Sequence, residues 1–337
     1  MSLSAVPATM TEVWITSPGG PEVLRPRTVA VPRPQAGEVL VRVLAAGVNR
    51  PDVMQRRGEY PMPPGVNPTP GLEIAGEVVG IGAGVDRFEL GERVCGLTEG
   101  GGYAEYCVVP ATQTLRQPAG TTAIQAAAIP ETFFTVWANV FGIGGAQPGD
   151  RMLVHGGTSG IGSTALMLAR AFGIRALCTD GGPEKCEAAV GLGAERAVDY
   201  IAEDFVAAVE EWSGGQGVDL VLDIVGGDYL ARNIEVLARG GRLLTIGYLG
   251  GEKGDGLNLL QVALKRAVIT GSTMRSRSPA EKAALAAELE AEVWPAMAAG
   301  RCLPTIHAEF PLEEASAAHR LMESGSHIGK IVLRVAE

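Results

Sequence analysis

The stretch VHGGTSGIGSTALMLARAFG, residues 154–173, holds four glycines in its first nine positions and then none for ten. Glycine-rich backbone lacks the Cβ atoms that keep a neighbour away, and a helix starting directly behind it presents unpaired N–H groups. The run before it, RMLVHGG, reads as a short buried strand. The same grammar continues downstream: RALCTD, RAVDY, VDLVLDIVG and GRLLTIG read as strands, with PEKCEAAVGLG and FVAAVEEWSG as helices between them. Such alternation builds βαβ units, and right-handed crossovers leave a parallel sheet with helices on both faces. The expected fold class is α/β, with a doubly wound parallel-sheet domain over residues 133–275.

Residues 11–132 follow other rules. EVLVRVLAAGV, EIAGEVVGIG, GERVCGL and AEYCVVP are strand-like runs divided by Gly, Pro and Asp. Most of the 21 prolines fall in this half and count against helices there. A mostly antiparallel, β-rich domain is expected. Further on, SPAEKAALAAELEAEVWPAMAAG reads as a helix with Ser278 at N-cap, Pro279 at N1 and Glu281 at N3. IGKIVLRV is a closing strand expected to return to the first domain, so that residues 276–337 complete it.

The glycine loop follows a strand and opens a helix, which is where a dinucleotide pyrophosphate sits. Against the G-x-G-x-x-G template, Gly157 takes the first place and Gly162 the third. Ser159 stands where the second glycine would be, followed by Gly160 and Ile161. Asp180 ends the next strand, 23 residues after Gly157, where a ribose-binding acid is expected.

Composition narrows the function. A formal charge of −10 argues against a nucleic-acid or anionic-membrane partner, and no apolar run is long enough to span a bilayer. The five cysteines, Cys95, Cys107, Cys178, Cys186 and Cys302, form no CxxC pair, which fits reduced thiols in a cytoplasm. The four histidines lie near no cysteine pair, so no metal site is expected.

The segments AAGVNRPDVMQRRGEYP, GLEIAGEVVGIGAGV, GERVCGL, GGYAEYCVVP, QAAAIPETFFTVW, VHGGTSGIG and GKIVLRV occur in this order. Together they resemble the zinc-free quinone oxidoreductase branch of the medium-chain dehydrogenase/reductase superfamily, which includes zeta-crystallin. The resemblance covers residues 12–335. It implies a GroES-like β-rich domain, an inserted Rossmann domain and an active site in the cleft between them. Zinc alcohol dehydrogenases of this superfamily place a catalytic Cys where this chain has Asn49. Their ligand His in a GHE stretch is Leu72 in GLE here. An amide and an alkyl group cannot replace thiolate and imidazole.

Without a metal there is no Lewis acid to draw a hydride from an alcohol, and reduction of an electron-poor acceptor is the easier chemistry. The resemblance therefore implies NAD(P)H-dependent reduction of a quinone, with Asn49, Tyr60 and Thr135 as catalytic candidates. Asn49 would orient a carbonyl or the nicotinamide, Tyr60 would donate to a developing oxyanion, and Thr135 would bond the nicotinamide end. It also implies that Lys185 and Tyr200 hold the adenosine end of NADPH. Gly247 and Tyr248 follow a sheet strand at its carboxyl end. Ser272, Thr273, Met274, Arg275 and Lys330 match segments that close over nicotinamide and ribose. NADPH is the expected cofactor, with use of NAD(H) as well, because Asp180 disfavours a 2′-phosphate while Lys185 favours it. Gly181 and Gly182 leave the Asp180 carboxylate free to turn away. An enoyl or acryloyl-type reductase acting on an activated C=C bond is the nearest alternative, and a non-enzymatic NADPH-binding protein is another. RAVITGSTM reads as an apolar edge strand that would pair two copies into a homodimer.

Overall fold

The computed structural model describes residues 6–60, 62–63 and 65–336. The chain divides into two units, Met1–Phe134 with Ser278–Glu337, and Thr135–Arg277.

The first unit is built on Glu38–Val48, a strand rich in β-branched residues and buried along nearly its whole length. It pairs antiparallel with Glu73–Ile81, with Tyr106–Pro110 and with the closing strand Lys330–Arg334. Arg93–Leu97, Thr114–Arg116 and Ile306–Pro311 extend this seven-stranded sheet, and Ile306–Pro311 alone pairs parallel to its neighbour. Val39, Val41, Val43, Ile74, Val78, Ile331 and Leu333 meet in one core, which the buried Ala315, Ala318 and Met322 of the helix Ala315–Ser324 also enter. One feature departs from the proline argument. Arg50–Arg57 is a helix despite Pro51, because Pro51 lies in its first turn, where a missing N–H breaks no helical bond.

The second unit holds a six-stranded parallel sheet. Its order is Arg196–Asp199, Arg175–Asp180, Arg151–His155, Val218–Asp223, Leu237–Thr245 and Val268–Gly271. The chain runs outward from Arg151–His155 in one direction and then returns beside it, which makes a switch point next to that strand. Leu153, Leu177, Val198, Val221, Ile234 and Leu243 form the core on one face. The helices Tyr229–Val236 and Leu259–Lys265 complete this unit. Because the strands are parallel, His155, Asp180, Asp199, Asp223 and Thr245 all end strands on the same edge of the sheet. That edge carries the glycine loop.

Candidate functional site

In the second unit, Ser159 is the N-cap of the helix Gly160–Ala171, and its hydroxyl accepts from Gly162 N–H at 2.9 Å. The N–H groups of Gly160 and Ile161 in the first turn have no acceptor among the described residues. They point out of a helix start, the geometry that binds anions. The glycines divide the work. Gly156 turns the chain at φ +70°, and a Cβ on Gly157 would lie 2.6 Å from Cys178 Sγ. A Cβ on Gly162 would strike the backbone of Gly156 and Gly157, so this glycine lets helix and loop close on each other.

Asp180 is buried and turned into this loop. Its Oδ2 accepts from Thr158 N–H and Thr158 Oγ1, each at 2.6 Å. Its Oδ1 accepts from Gly181 N–H at 3.0 Å and lies 3.8 Å from Lys185 Nζ. Tyr200 stands over Gly181, where an added Cβ would be 2.7 Å from the phenol oxygen. The structure thus gathers Asp180, Lys185 and Tyr200 around Gly181, with the carboxylate directed at Thr158. Thr158 is a residue the sequence reading passed over inside its own motif.

Gly247 and Tyr248 lie on the loop after Leu237–Thr245, and Gly247 packs where a Cβ would be 3.1 Å from Ile224 O. That loop is bonded to the neighbouring one through Leu249 N–H to Ile224 O. Ser272 Oγ donates to Asn139 Oδ1 at 2.9 Å, and Asn139 Nδ2 donates to Thr135 O at 2.8 Å. The structure therefore joins Thr135 to Ser272 through Asn139, a buried amide within the apolar WANVFG stretch that the sequence reading missed. Thr273 bonds Ser276, and Met274 and Arg275 complete that turn.

The remaining candidates lie in the first unit. Asn49 precedes the helix Arg50–Arg57, yet its side chain does not cap it. Asn49 Nδ2 donates to Glu73 Oε1 at 2.9 Å, and Lys330 Nζ donates to Asn49 Oδ1 at 2.5 Å and to Glu73 Oε1 at 2.6 Å. All three are buried, Glu73 completely. Lys330, read above as part of a segment that closes over nicotinamide and ribose, has two of its donors held inside this unit, where it offsets Glu73, which would otherwise be a buried, unpaired charge. Room for Glu73 comes from Gly47, where any Cβ would land on its carboxylate. Tyr60 is half-buried just beyond the left-handed Gly58 that ends the helix.

Behind Asn49 runs a second buried chain. Asp52 Oδ2 accepts from Asn49 N–H at 2.8 Å and from Tyr103 Oη at 3.3 Å, and its Oδ1 accepts from Gly71 N–H at 3.0 Å. Tyr103 Oη lies 3.1 Å from His319 Nε2, and His319 Nδ1 faces Arg56, which pairs with Glu323. Arg56 has only donors, so Nδ1 accepts and Nε2 carries the proton toward Tyr103. Burial pushes Asp52 up to about 6, and burial with the nearby Arg56 pushes His319 down to about 3. Burial also raises the Tyr103 phenol. No sequence signal marked Tyr103 or His319, which lie 216 residues apart.

Zinc ligands are not what these residues supply. The Asn49 amide is held by Lys330 and Glu73, Glu73 is neutralised by Lys330, and Leu72 has no donor atom. Burial raises the Cys95 thiol and pushes Cys107 up to about 12, far from the thiolate that zinc takes. No group of three His, Cys, Asp or Glu residues fit for a metal exists among the described residues. The loop of Gly160 and Ile161, by contrast, has the donors and the open backbone that a dinucleotide pyrophosphate needs.

Comparison with known proteins agrees with this geometry. Residues 35–119 match the alcohol dehydrogenase GroES-like domain, and residues 192–333 match a family described as zinc-binding dehydrogenase. A quinone oxidoreductase of Rattus norvegicus is 32% identical over 94% of this chain and 94% of its own. The solved Escherichia coli quinone oxidoreductase complexed with NADPH superposes with TM-score 0.85 at 29% identity, covering 97% of this chain and 100% of that one. A solved NAD-dependent alcohol dehydrogenase gives TM-score 0.84 at 32% identity, covering 97% and 100%. Likeness of this extent over nearly the full length shows that the chain belongs to the medium-chain dehydrogenase/reductase superfamily, in its quinone oxidoreductase branch, and is an oxidoreductase built to use a nicotinamide cofactor.

Proposed function

We propose that this protein is a zinc-independent, NADPH-dependent quinone oxidoreductase. The observation that carries the reading is the cluster of Asn49, Glu73 and Lys330. Asn49 and Leu72 stand where zinc relatives have a Cys and a His; the Asn49 amide is held by Glu73 and Lys330, whose charges neutralise each other. With no metal ligand set, an alcohol cannot be activated in that manner, whereas a quinone is already electron-poor. Bound NADPH would supply one hydride to the quinone, and one proton completes the hydroquinone. The N–H groups of Gly160 and Ile161 would hold the pyrophosphate, and Lys185 with Tyr200 the 2′-phosphate end. Asn49 and Tyr60 are the donors proposed for the acceptor oxygen, and Thr135 for the nicotinamide end.

The experiment is steady-state NADPH oxidation on a panel of quinones, enones and acyl thioesters, before and after dialysis against a strong chelator. Quinone turnover unchanged by the chelator is the expected result. Loss of turnover restored by zinc would overturn the metal-free reading, and preference for enones or thioesters would make this an alkene reductase. NADPH binding without any turnover would make it a binding protein.

Two further features support the proposed setting. The strand Val268–Gly271 is a sheet edge with Val268 and Ile269 exposed, beside Leu259, Leu260 and Leu264, also exposed. A second copy is the proposed cover, and light scattering at the mass of one chain, 35.0 kDa, would refute it. All five cysteines are free thiols, which fits the reducing cytoplasm, and no helix among the described residues is long and apolar enough to cross a membrane.

A further inference from the structure

We propose that Lys330 and Glu73 are positioning residues that lock the Asn49 carboxamide in one orientation, so that it presents an N–H donor to an acceptor's carbonyl oxygen. This rests on the reading above and narrows it. The favoured acceptors are those whose reduction builds negative charge on an oxygen, as in a quinone or an enone.

Amide oxygen and nitrogen are nearly alike in shape, so orientation must come from the neighbours. Here the neighbours decide. An ammonium has only donors, and Lys330 Nζ lies 2.5 Å from one amide end, so that end is Oδ1. A carboxylate accepts, and Glu73 Oε1 lies 2.9 Å from the other end, so that end is Nδ2. Turning the amide over would set NH2 against ammonium and oxygen against carboxylate, both repulsive in a dry site. The two charges are themselves fixed. Glu73 Oε2 accepts from Glu131 N–H at 2.8 Å in the first turn of the helix Pro130–Val136. The pairing of Ile331 with Val48 sets Lys330 across from Asn49.

Counting donors gives the consequence. Asn49 has two amide N–H bonds; one goes to Glu73, and the other has no acceptor among the described residues. The ammonium on Oδ1 draws electron density toward the oxygen and strengthens the remaining N–H as a donor. Oδ1 is already engaged by the Lys330 ammonium, so the group Asn49 has left to offer a carbonyl oxygen is the second N–H.

The test compares Lys330→Met, Glu73→Gln and the double variant Glu73→Gln/Lys330→Met with the wild type. In protein labelled with 15N only at asparagine, the Asn49 side-chain signal is identified by its loss in Asn49→Ala. The wild type is expected to show two unequal amide protons, one shifted downfield and protected from exchange, and the double variant an ordinary pair. With NADPH and a quinone, Lys330→Met should lower kcat about tenfold or more while the KM for NADPH moves less than about threefold. The double variant should recover thermal stability, since both charges leave together, but not kcat. A purely structural ion pair predicts the reverse, and a double variant with kcat near wild type would overturn the proposal. So would an Asn49 signal unchanged by every substitution. If the wild type reduces no acceptor, the functional reading fails, and the Asn49 signal still decides the positioning.

Discussion

In the β-rich unit the buried polar core is anchored by ion pairs, Glu73 against Lys330 and Arg56 against Glu323, with neutral Tyr103 and His319 bridging Asp52 and Arg56. In the parallel-sheet unit the buried chain passes through neutral partners before reaching a charge. Thr179 Oγ1 lies 2.9 Å from His155 Nδ1, and His155 Nε2 lies 2.8 Å from Asn233 Oδ1. Asn233 Nδ2 then donates to Asp223 Oδ2 at 3.0 Å. Asn233 must present its oxygen to His155, so Nε2 carries the proton and Nδ1 accepts from Thr179. The two cores serve different ends. Ions in the first unit hold one amide by charge. In the second, the neutral chain steadies Asp223, whose Oδ1 holds backbone by accepting from Val225 and Gly226 N–H beside the switch point.

The largest expected effect tests that contrast directly. Glu73→Ala leaves Lys330 buried and unpaired, and should cost about 3–5 kcal/mol in urea unfolding. Asn233→Ala removes one bond to neutral His155 and one to the Asp223 carboxylate, which keeps the Val225 and Gly226 N–H groups as donors, and should cost about 1–3 kcal/mol. Equal costs would break the comparison, because the charged and neutral cores would then be energetically alike.

Acid should sharpen it. His319 lies well below its ordinary 6.5, so its neutral folded form adds stability above pH 6.5 that is lost as pH falls toward 3. Asp52 has the opposite sign: raised from 3.8 to about 6, it takes a proton in the folded state first, so acidification from 6 to 3.8 favours folding. Over the span the two share, from pH 6 to 3.8, the changes are opposite in sign and similar in size, so the first unit largely offsets itself there. His155 is also lowered, by burial first, against the opposing pull of Asp223, and its direct partners Thr179 and Asn233 do not titrate. Amide exchange, corrected for intrinsic rate, should therefore show protection falling more steeply in the parallel-sheet unit than in the β-rich unit between pH 6.5 and 5. His155→Gln should abolish that difference in slope, and a steeper fall in the β-rich unit would contradict the assignment.

What the sequence revealed divides along the same line. The parallel sheet was readable because its signals are local: strand, glycine loop, helix and Asp180 lie within 30 residues of each other. The capping residues Ser278, Pro279 and Glu281 stand where the spacing put them, for the same reason. The β-rich unit was readable as strands, yet its polar core was not, because its contacts join distant positions. Lys330 meets Glu73 across 257 residues and Arg56 meets Glu323 across 267. Nothing near Lys330 distinguishes a buried cation from a solvated one. Gly47 was the one local trace, a glycine inside a strand, which marks a close approach whose partner only the fold supplies.

The smallest effect concerns cofactor choice. Asp180 ends its strand where an acid would take both ribose hydroxyls of NAD and repel a phosphate. In the fold its carboxylate faces Thr158 at 2.6 Å and Lys185 at 3.8 Å, so most of its acceptor capacity is occupied within the chain. A ribose would have to displace Thr158 to gain the acid, while a phosphate would meet a carboxylate already partly neutralised. Asp180→Ala should therefore weaken both cofactors together, by loosening the loop that Thr158 anchors. The ratio of kcat/KM for NADPH over NADH should change by less than about tenfold, or about 1.4 kcal/mol. Thr158→Val, which removes only the hydroxyl bond, should free the carboxylate toward the ribose and shift the ratio toward NADH. A wild type that prefers NADH tenfold or more, with that preference lost in Asp180→Ala, would show that the acid reads the ribose after all.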